Sequence, residues 1–212
     1  MNIIKLTLGE LAANCFIVEA PEQTAIVIDP GAEAEVIMAE LESRGLALRK
    51  ILLTHGHFDH TGAAAKLKER YNAQVYISAV DEELLNDKVK SVAYVLPDCP
   101  FHPVEADVRI REGDVISQGS LKISVMETPG HTAGSVCFII DDCIFTGDTL
   151  FHGSVGRTDL FSGNARTEMQ SVKRLADLDK NYRLYCGHGS DTDLETERKI
   201  NPFITSNNQT IL

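Results

Sequence analysis

Hydrophobic residues in the first part of the chain change from a two-residue period to a helical period. Residues 3–8, 14–19 and 24–29 are short, rich in β-branched side chains and separated by turn-forming residues, so they predict a meander of three strands. From Ala32 the apolar residues follow helical spacing, and Gly45 is a typical residue at the end of a helix. This pattern predicts three strands followed by a helix.

Strands alternate with helices in the middle of the chain. Residues 50–54 predict a short buried strand, Thr61 begins a helix that runs to about Arg70, and residues 74–78 predict the next strand. A helix near residues 80–88 precedes a loop at residues 93–103, which holds three prolines. We expect this loop to line a pocket.

Strand-like runs dominate from about residue 104 to residue 151, with turns at residues 112–114, 118–120 and 141–142. A helix near residues 165–178 and a strand at residues 182–186 follow. The last helix begins at Thr192, where the sequence Thr-Asp-Leu-Glu fits a capping box. No repeat or linker interrupts this order, so we expect one domain over residues 1–212, of the α/β or α+β class.

Composition and charge exclude several classes of protein. Apolar residues make up 43% and charged residues 24%, which is typical of a globular chain and argues against disorder. The net charge of −11 disfavours nucleic acid and anionic membrane surfaces as partners. No apolar run approaches the roughly 20 residues that span a bilayer, and Lys5 and Glu10 interrupt any signal-peptide core. We therefore expect a cytoplasmic protein.

The cysteines do not indicate a disulfide framework or a thiolate zinc site. Their number is odd, they are widely spaced and no C-x-x-C motif is present. We expect small buried side chains at these five positions, which are Cys15, Cys99, Cys137, Cys143 and Cys186.

Histidines cluster at the end of the predicted strand over residues 50–54. His55, His57, Asp59 and His60 place four potential metal ligands within six positions. In an extended loop the first two would point to the same side, while Asp59 and His60 would diverge. Imidazole nitrogens and carboxylate oxygens are the ligands that Zn²⁺ and related divalent ions prefer. The motif therefore predicts a metal site in which the two pairs serve different ions.

Three further candidate ligands follow later predicted strands. His131 lies in a Pro-Gly-His-Thr loop, Asp148 in a Thr-Gly-Asp-Thr segment and His188 in a Cys-Gly-His-Gly loop. Each is a weak signal by itself, because a lone histidine or aspartate in a loop often has no special role. Their value depends on the pattern they form with the histidine cluster.

In this order the motifs resemble the metallo-β-lactamase superfamily of hydrolases, with its H-x-H-x-D-H motif, lone histidine, bridging aspartate and final histidine. The resemblance implies that His55, His57 and His131 hold one metal. It further implies that Asp59, His60 and His188 hold a second metal and that Asp148 bridges the two. The implied fold is an α/β four-layer αβ/βα sandwich with two mixed β-sheets and the metals at one edge.

The resemblance implies a two-metal hydrolase in which a water shared by the ions becomes the attacking hydroxide. Asp59 would then accept or steer a proton of that water, in addition to binding metal. We expect two divalent ions, with zinc favoured and iron or manganese also suited to these ligands. Asp29, Thr54 and Thr61 are candidates to orient the ligands, although a strand end and a helix cap explain the threonines equally well.

Within the superfamily, Gly147-Asp148-Thr149-Leu150-Phe151 and Gly156-Arg157-Thr158-Asp159 resemble the glyoxalase II group of thioesterases. The resemblance implies a small anionic acyl thioester as substrate, with Arg157 pairing with its carboxylate and with Phe151 and His152 on the same wall. Arg157 could also be an ordinary surface arginine. His102 lies outside the pattern and is not assigned to the site.

The sequence departs from full-length glyoxalase II enzymes in one respect, and it leaves two alternative functions open. Full-length glyoxalase II enzymes carry an additional helical domain for glutathione, and this sequence ends soon after Asn201, so it is closer to short bacterial glyoxalase II-like proteins. A mononuclear-iron persulfide dioxygenase of the same superfamily also shares the Gly-Arg-Thr-Asp stretch and would use His55, His131 and Asp148. A non-catalytic binding protein on this scaffold would have no need of a complete ligand set.

Overall fold

A computed structural model describes residues 1–96 and 101–205. Its first sheet has six strands in sequential order, antiparallel from the first to the third and parallel from the third to the sixth. These strands are β1 (Ile3–Leu8), β2 (Ala13–Ala20), β3 (Thr24–Ile28), β4 (Ala47–Leu52), β5 (Gln74–Ser78) and β6 (Val108–Ile110).

The remaining strands form a second sheet and a small hairpin. They are β7 (Val115–Gln118), β8 (Leu121–Glu127), β9 (Val136–Ile140), β10 (Cys143–Gly147), β11 (Leu150–Phe151), β12 (Ser154–Val155), β13 (Arg183–Cys186) and β14 (Thr192–Asp193). The second sheet has six strands in the order β14-β13-β10-β9-β8-β7, and β10 and β13 are its parallel pair. Both sheets are therefore mixed. The strands β11 and β12 form the hairpin, which follows β10.

Six α-helices and two 3₁₀ helices connect or cover the strands within the described ranges. The α-helices are α1 (Ala34–Ser43), α2 (Phe58–Thr61), α3 (Ala64–Tyr71), α4 (Ala165–Ala176), α5 (Leu194–Ile200) and α6 (Pro202–Thr205). The 3₁₀ helices are Glu82–Asn86 and Ala93–Val95. None of the helices within residues 1–96 and 101–205 is long and apolar enough to span a membrane.

Alternating side chains of the strands build three apolar layers between four layers of secondary structure. Phe16 of β2 faces the second sheet and packs edge-on against Phe145 of β10, with ring centroids 5.2 Å apart. Its neighbour Ile17 points to the opposite face, toward Ile37 of α1. On the far side of the second sheet, Val172 of α4 joins a separate cluster. The prediction of a four-layer sandwich with two mixed sheets is confirmed.

The parallel strands bring their carboxyl ends to the same edge of each sheet. Asp29 follows β3 and His55 comes shortly after β4 in the first sheet. Asp148 follows β10 and His188 comes shortly after β13 in the second sheet. Because loops at the carboxyl ends of parallel strands share one edge, residues far apart in sequence converge there.

Several local predictions from the sequence are wrong in detail. The predicted helix near residues 80–88 is a short 3₁₀ helix. The predicted loop at residues 93–103 begins with a 3₁₀ turn. Residues 97–100 of that loop lie outside the described residues. The helix predicted to begin at Thr61 instead starts as α2 and continues as α3. Asp193, not Thr192, caps the last long helix by accepting a hydrogen bond from the Thr196 N–H at 3.0 Å. The expectation of one domain over residues 1–212 stays a prediction.

Candidate metal centre

Three buried histidines form the first group of donors at the shared edge. One ring nitrogen from each of His55, His57 and His131 lies within 4.8 Å of the others. Nδ1 of His57 is 2.9 Å from Nε2 of His131. The three side chains are almost completely shielded from solvent. This arrangement brings two positions of the H-x-H motif together with the lone histidine that follows β8.

A second group combines Asp59, His60 and His188, whose donor atoms also lie within 4.8 Å of one another. Nε2 of His60 is 3.3 Å from Nε2 of His188, which in turn is 3.3 Å from Oδ2 of Asp59. Asp59 and His60 belong to the helical turn α2, not to an extended loop as the sequence suggested. The helical turn is the reason that these adjacent residues serve one group instead of diverging.

Asp148 lies between the two groups. Its Oδ2 is 3.5 Å from Nε2 of His131 in the first group and 3.6 Å from Nε2 of His188 in the second. Its Oδ1 is 3.4 Å from Nε2 of His60. The seven side chains selected from the sequence therefore meet at one place, with one carboxylate reaching both histidine groups.

Outer hydrogen bonds orient several of the histidine rings. Asp29 accepts hydrogen bonds from the Thr54 N–H at 2.8 Å and the Thr54 hydroxyl at 2.7 Å, and its Oδ2 is 3.1 Å from Nδ1 of His60. Because the Thr54 hydroxyl donates to Asp29, it accepts at 3.1 Å from Nδ1 of His55. His131 directs its Nδ1 to the backbone carbonyl of Arg157 at 2.7 Å. In these three rings Nδ1 is engaged, so Nε2 is left to face the centre.

Three buried atoms of the donor residues have no hydrogen-bond partner among the described residues. These are Nε2 of His55, Nε2 of His57 and Oδ1 of Asp148. Burial of an unpartnered imidazole nitrogen or carboxylate oxygen is costly unless another group satisfies it. A divalent cation satisfies both atom types, and the N and O donors match the ligands that zinc, iron and manganese accept. The residues present therefore fit metal ions.

The two groups differ in their affinity for protons. Burial, together with the neighbouring histidines, lowers the pKa of His55 well below its usual value and that of His57 to about 3. Burial also opposes the charged form of His60, but Asp148, Asp59 and Asp29 outweigh it and raise its pKa to about 10. In His188, the hydrogen bond to Asp59 and the charge of Asp148 likewise outweigh burial and raise the pKa. His55 and His57 are thus neutral at neutral pH, whereas His60 holds a proton that a metal ion must displace.

Asp59 stays ionised even though it is largely enclosed. Burial alone would raise the pKa of its carboxyl group, but the positive charge of His60 and the hydrogen bond from His188 lower the pKa well below the usual range. Asp59 is therefore an anionic donor beside His60 and His188, and its expected role in accepting or steering a proton of the water stays a prediction.

Asp81 is a buried residue at the centre that the sequence analysis missed. It follows β5, next to the strand that carries the histidine motif, and its carboxylate accepts a hydrogen bond from the Gly56 N–H at 3.0 Å. A side chain at Gly56 would collide with Leu84, since an added Cβ would lie 2.5 Å from its Cβ. The signal that could have found Asp81 is its place after a parallel strand, where Asp29 and His55 also lie.

Glu168 was also missed, because nothing in a helix sequence shows which loop the helix touches. It is a buried residue of α4, and its carboxylate interacts with the backbone N–H of His131. Burial raises the pKa of Glu168 to about 8. Gly130 passes beside it with φ +150, and an added Cβ there would lie 2.2 Å from Cα of Glu168. The absence of a side chain at Gly130 lets the loop of His131 approach α4 this closely.

The other candidate residues fall in different places. Phe151 and Arg157 line a cavity of about 710 Å³ that also contains parts of both donor groups. Arg157 is exposed and forms a two-pronged ion pair with Asp159 at 2.7 and 2.8 Å. His152 is not part of this wall, because its ring is half exposed and lies 3.0 Å from Oε1 of Glu197. Its expected substrate contact therefore has no support in the geometry.

Thr61 and the cysteines have no visible part in the chemistry of the centre. Within the described residues Thr61 makes no hydrogen bond to a ligand histidine, whereas Thr54 does. Cys15, Cys137, Cys143 and Cys186 are buried free thiols, and burial is the main cause that raises the pKa of each. Thiols with raised pKa values are poor nucleophiles at neutral pH. Cys99 lies outside the described residues.

A family model described as the metallo-beta-lactamase superfamily matches residues 8–188. The match includes the seven donor residues and most of the chain. The protein therefore belongs to the metallo-β-lactamase superfamily, and its resemblance to that superfamily, inferred from the motifs, is confirmed.

Three similar proteins carry more specific names. The hydroxyacylglutathione hydrolase GloC of Haemophilus influenzae is 33% identical over 218 residues, covering 97% of this chain and 99% of that protein. The crystal structure of the BLEG-1 B3 metallo-β-lactamase is 30% identical with a TM-score of 0.89, covering 96% and 100% of the two chains. The structure of TTHA1623 in a di-iron-bound form is 37% identical with a TM-score of 0.84, covering 94% and 99%.

Proposed function

We propose that this protein is a metal-dependent acyl thioester hydrolase of the hydroxyacylglutathione hydrolase type. The observation that carries the proposal is the pair of donor groups joined by Asp148 at the wall of an open cavity. The similarity to GloC over nearly the whole of both chains supports the choice of a thioester. The sequence-based expectation that the substrate is small and anionic belongs to this proposal.

The donor groups would hold one ion on His55, His57 and His131 and a second on Asp59, His60 and His188. Divalent ions at such donors lower the pKa of a water molecule and polarise a carbonyl group. Asp59 carries a negative charge beside the cavity, where it orients the water that attacks the acyl carbon. Asp29 and Thr54 hold their histidine rings in place by the hydrogen bonds described above.

The chemistry of the leaving group suits this set of residues. Hydrolysis forms a carbon–oxygen bond and breaks the carbon–sulfur bond, and the products are a carboxylic acid and a thiol. Because thiols have a pKa near 8.5, the sulfur can leave as a thiolate and take its proton from solvent. A thioester therefore needs no general acid at the sulfur, unlike an amide, whose nitrogen must be protonated.

Thiol release from acyl thioesters tests the proposal directly. The metal-loaded protein should hydrolyse S-lactoylglutathione or a simple acyl thioester, and His57→Ala should remove the activity. A β-lactam assayed in parallel addresses the similarity to BLEG-1. Turnover of the β-lactam without turnover of any thioester would contradict the proposal.

An iron-dependent persulfide dioxygenase is the second candidate. The di-iron form of TTHA1623 favours it, because that similar structure shows iron on this scaffold. In this chain Nε2 of His131 lies 3.5 Å from Oδ2 of Asp148, and the ring centroids of His55 and His131 are 4.8 Å apart. The three expected iron ligands are therefore close together. Oxygen uptake with glutathione persulfide and one iron per chain would favour this candidate over the hydrolase.

A further inference from the structure

The cavity beside the metal centre has an apolar wall on a segment that the motifs do not include. Tyr94 and Val95 line the cavity while leaving 52% and 44% of their surface exposed. Leu11, from the turn between β1 and β2, is 41% exposed and lines the same cavity. Large apolar side chains left in water around one cavity indicate a ligand with an apolar part.

We propose that this wall binds the acyl chain of the substrate, so that the preferred thioester carries an apolar acyl chain longer than acetyl. The inference rests on the proposed thioesterase function and adds the substrate class to it. The cavity contains both the wall and the side chains of His57, Asp59 and Asp148, so a group bound at the wall is adjacent to the donors.

The backbone of the wall is strained. Val92, which lines the cavity just before the 3₁₀ turn Ala93–Val95, has φ +64, in the left-handed region that β-branched residues avoid. Such a conformation is unfavourable and persists where surrounding contacts impose it, commonly at ligand-binding sites. The segment is anchored to the metal centre, because the Phe58 N–H donates to the Ser91 carbonyl at 3.0 Å.

The charges around the cavity favour an apolar group over an anionic one at this wall. Among the described lining residues, Arg157 is the one side chain with a permanent positive charge, and Asp159 already neutralises it through two hydrogen bonds. An anionic group at this wall would therefore find no free cationic side chain among these residues, whereas an apolar chain needs none.

The acyl group is the part of a thioester that fits this wall. Water-soluble thiol carriers bear peptide, carboxylate or phosphate groups, which would lose hydration against Tyr94 and Val95 without gaining partners. An aliphatic acyl chain releases water from both surfaces when it binds. An anionic thiol portion could then extend toward Arg157, so the two expectations for the substrate are compatible.

A chain-length series tests the proposal in the metal-loaded, full-length protein. We expect kcat/KM to rise about threefold for each methylene added from acetyl to hexanoyl when the thiol is kept constant, since burial of each methylene favours binding. The double variant Tyr94→Ala, Val95→Ser should reduce the ratio of hexanoyl to acetyl kcat/KM about tenfold. Val89→Ser is the matched control, because Val89 is 67% exposed on the same segment but does not line the cavity.

Binding of non-hydrolysable S-alkyl thioethers, measured by calorimetry, separates this inference from the proposed function. In one outcome no thioester is hydrolysed, but longer thioethers bind more tightly and the double variant binds them more weakly. The wall then binds apolar chains as proposed, and the proposed thioester hydrolysis is wrong. Hydrolysis that does not depend on acyl length would overturn the inference while preserving the thioesterase. A stronger dependence on an apolar thiol than on the acyl chain would also overturn it.

Discussion

Thr132 donates a hydrogen bond from its hydroxyl group to Oδ2 of Asp81 at 2.7 Å. The same carboxylate accepts from the backbone N–H groups of Gly56 at 3.0 Å and Gly134 at 2.9 Å. Gly56 lies between two ligand histidines, and Thr132 directly follows a third. One buried carboxylate therefore fixes the two loops that supply the first donor group relative to each other.

Asp81→Asn should weaken the affinity for the first metal ion about 10- to 100-fold. The substitution replaces one carboxylate oxygen, which now accepts hydrogen bonds from the loops, with an amide NH₂ group, which donates them. We expect kcat to fall more than KM changes, with the fold retained by circular dichroism. Asp107→Asn is the matched control, since Asp107 accepts from the Val75 N–H at 2.8 Å at the other end of β5. Equal metal affinity in the Asp81 variant and the wild type would refute this positioning role.

Asp148→Ala should lose more metal than His57→Ala, because Asp148 reaches donors of both groups while His57 belongs to one. Both substitutions should lower turnover by at least about a hundredfold, as expected when a group that acts in the transition state is removed. Elemental analysis of the purified variants gives the metal content per chain. Retained metal with normal rates in either variant would be incompatible with the assignment.

Proton release should distinguish the two ions. At neutral pH the low pKa values keep His55 and His57 unprotonated, whereas His60, with a pKa of about 10, holds a proton in the metal-free protein. Binding at the second group must displace the proton of His60, so the affinity of that group should fall as the pH falls, whereas His55 and His57 have no proton to release near neutral pH. Titration of the apo-protein with Zn²⁺ in weak buffer measures the released protons.

His188→Ala should reduce this proton release, since the pKa of His188 is also raised, while His57→Ala should leave it nearly unchanged. Proton release confined to the His55 and His57 group would show that the protonation pattern is the reverse of the one described.

Arg157→Ala should raise KM for anionic acyl thioesters with little effect on kcat, if the guanidinium group binds the substrate carboxylate. Asp159→Asn provides the opposite test, because it removes the present partner of Arg157 and should lower that KM. The ion pair is exposed and screened by solvent, so its contribution to stability is small and neither change should unfold the protein. If KM is the same in both variants, Arg157 is a surface residue.

The sequence predicts the donors well because their signals are local. His55, His57, Asp59 and His60 lie within six positions, and Asp148 follows a recognisable strand end. The later convergence of the seven donors required only that parallel strands end at a common edge.

The rest of the site depends on contacts that sequence spacing does not contain. Asp81 acts on loops 25 and more positions away, and its three donors are identified only by the fold. Phe151 and His152 were placed on one wall, but consecutive residues at a strand end point in opposite directions, so only Phe151 faces the cavity. The loop that begins at residue 93 was expected to line a pocket, and its residues Tyr94 and Val95 do line the cavity, but their exposed side chains form no period or motif that indicates what the pocket binds.

The last residue of the first donor group, His131, comes earlier in the chain than the last residue of the second group, His188. Every residue of the first group precedes His188, which follows β13, and β13 is the last strand to pair with β10. During synthesis on the ribosome, amino-terminal segments emerge and organise first. All residues of the first donor group therefore emerge before His188, so the second group is the last part of the centre to be completed during synthesis.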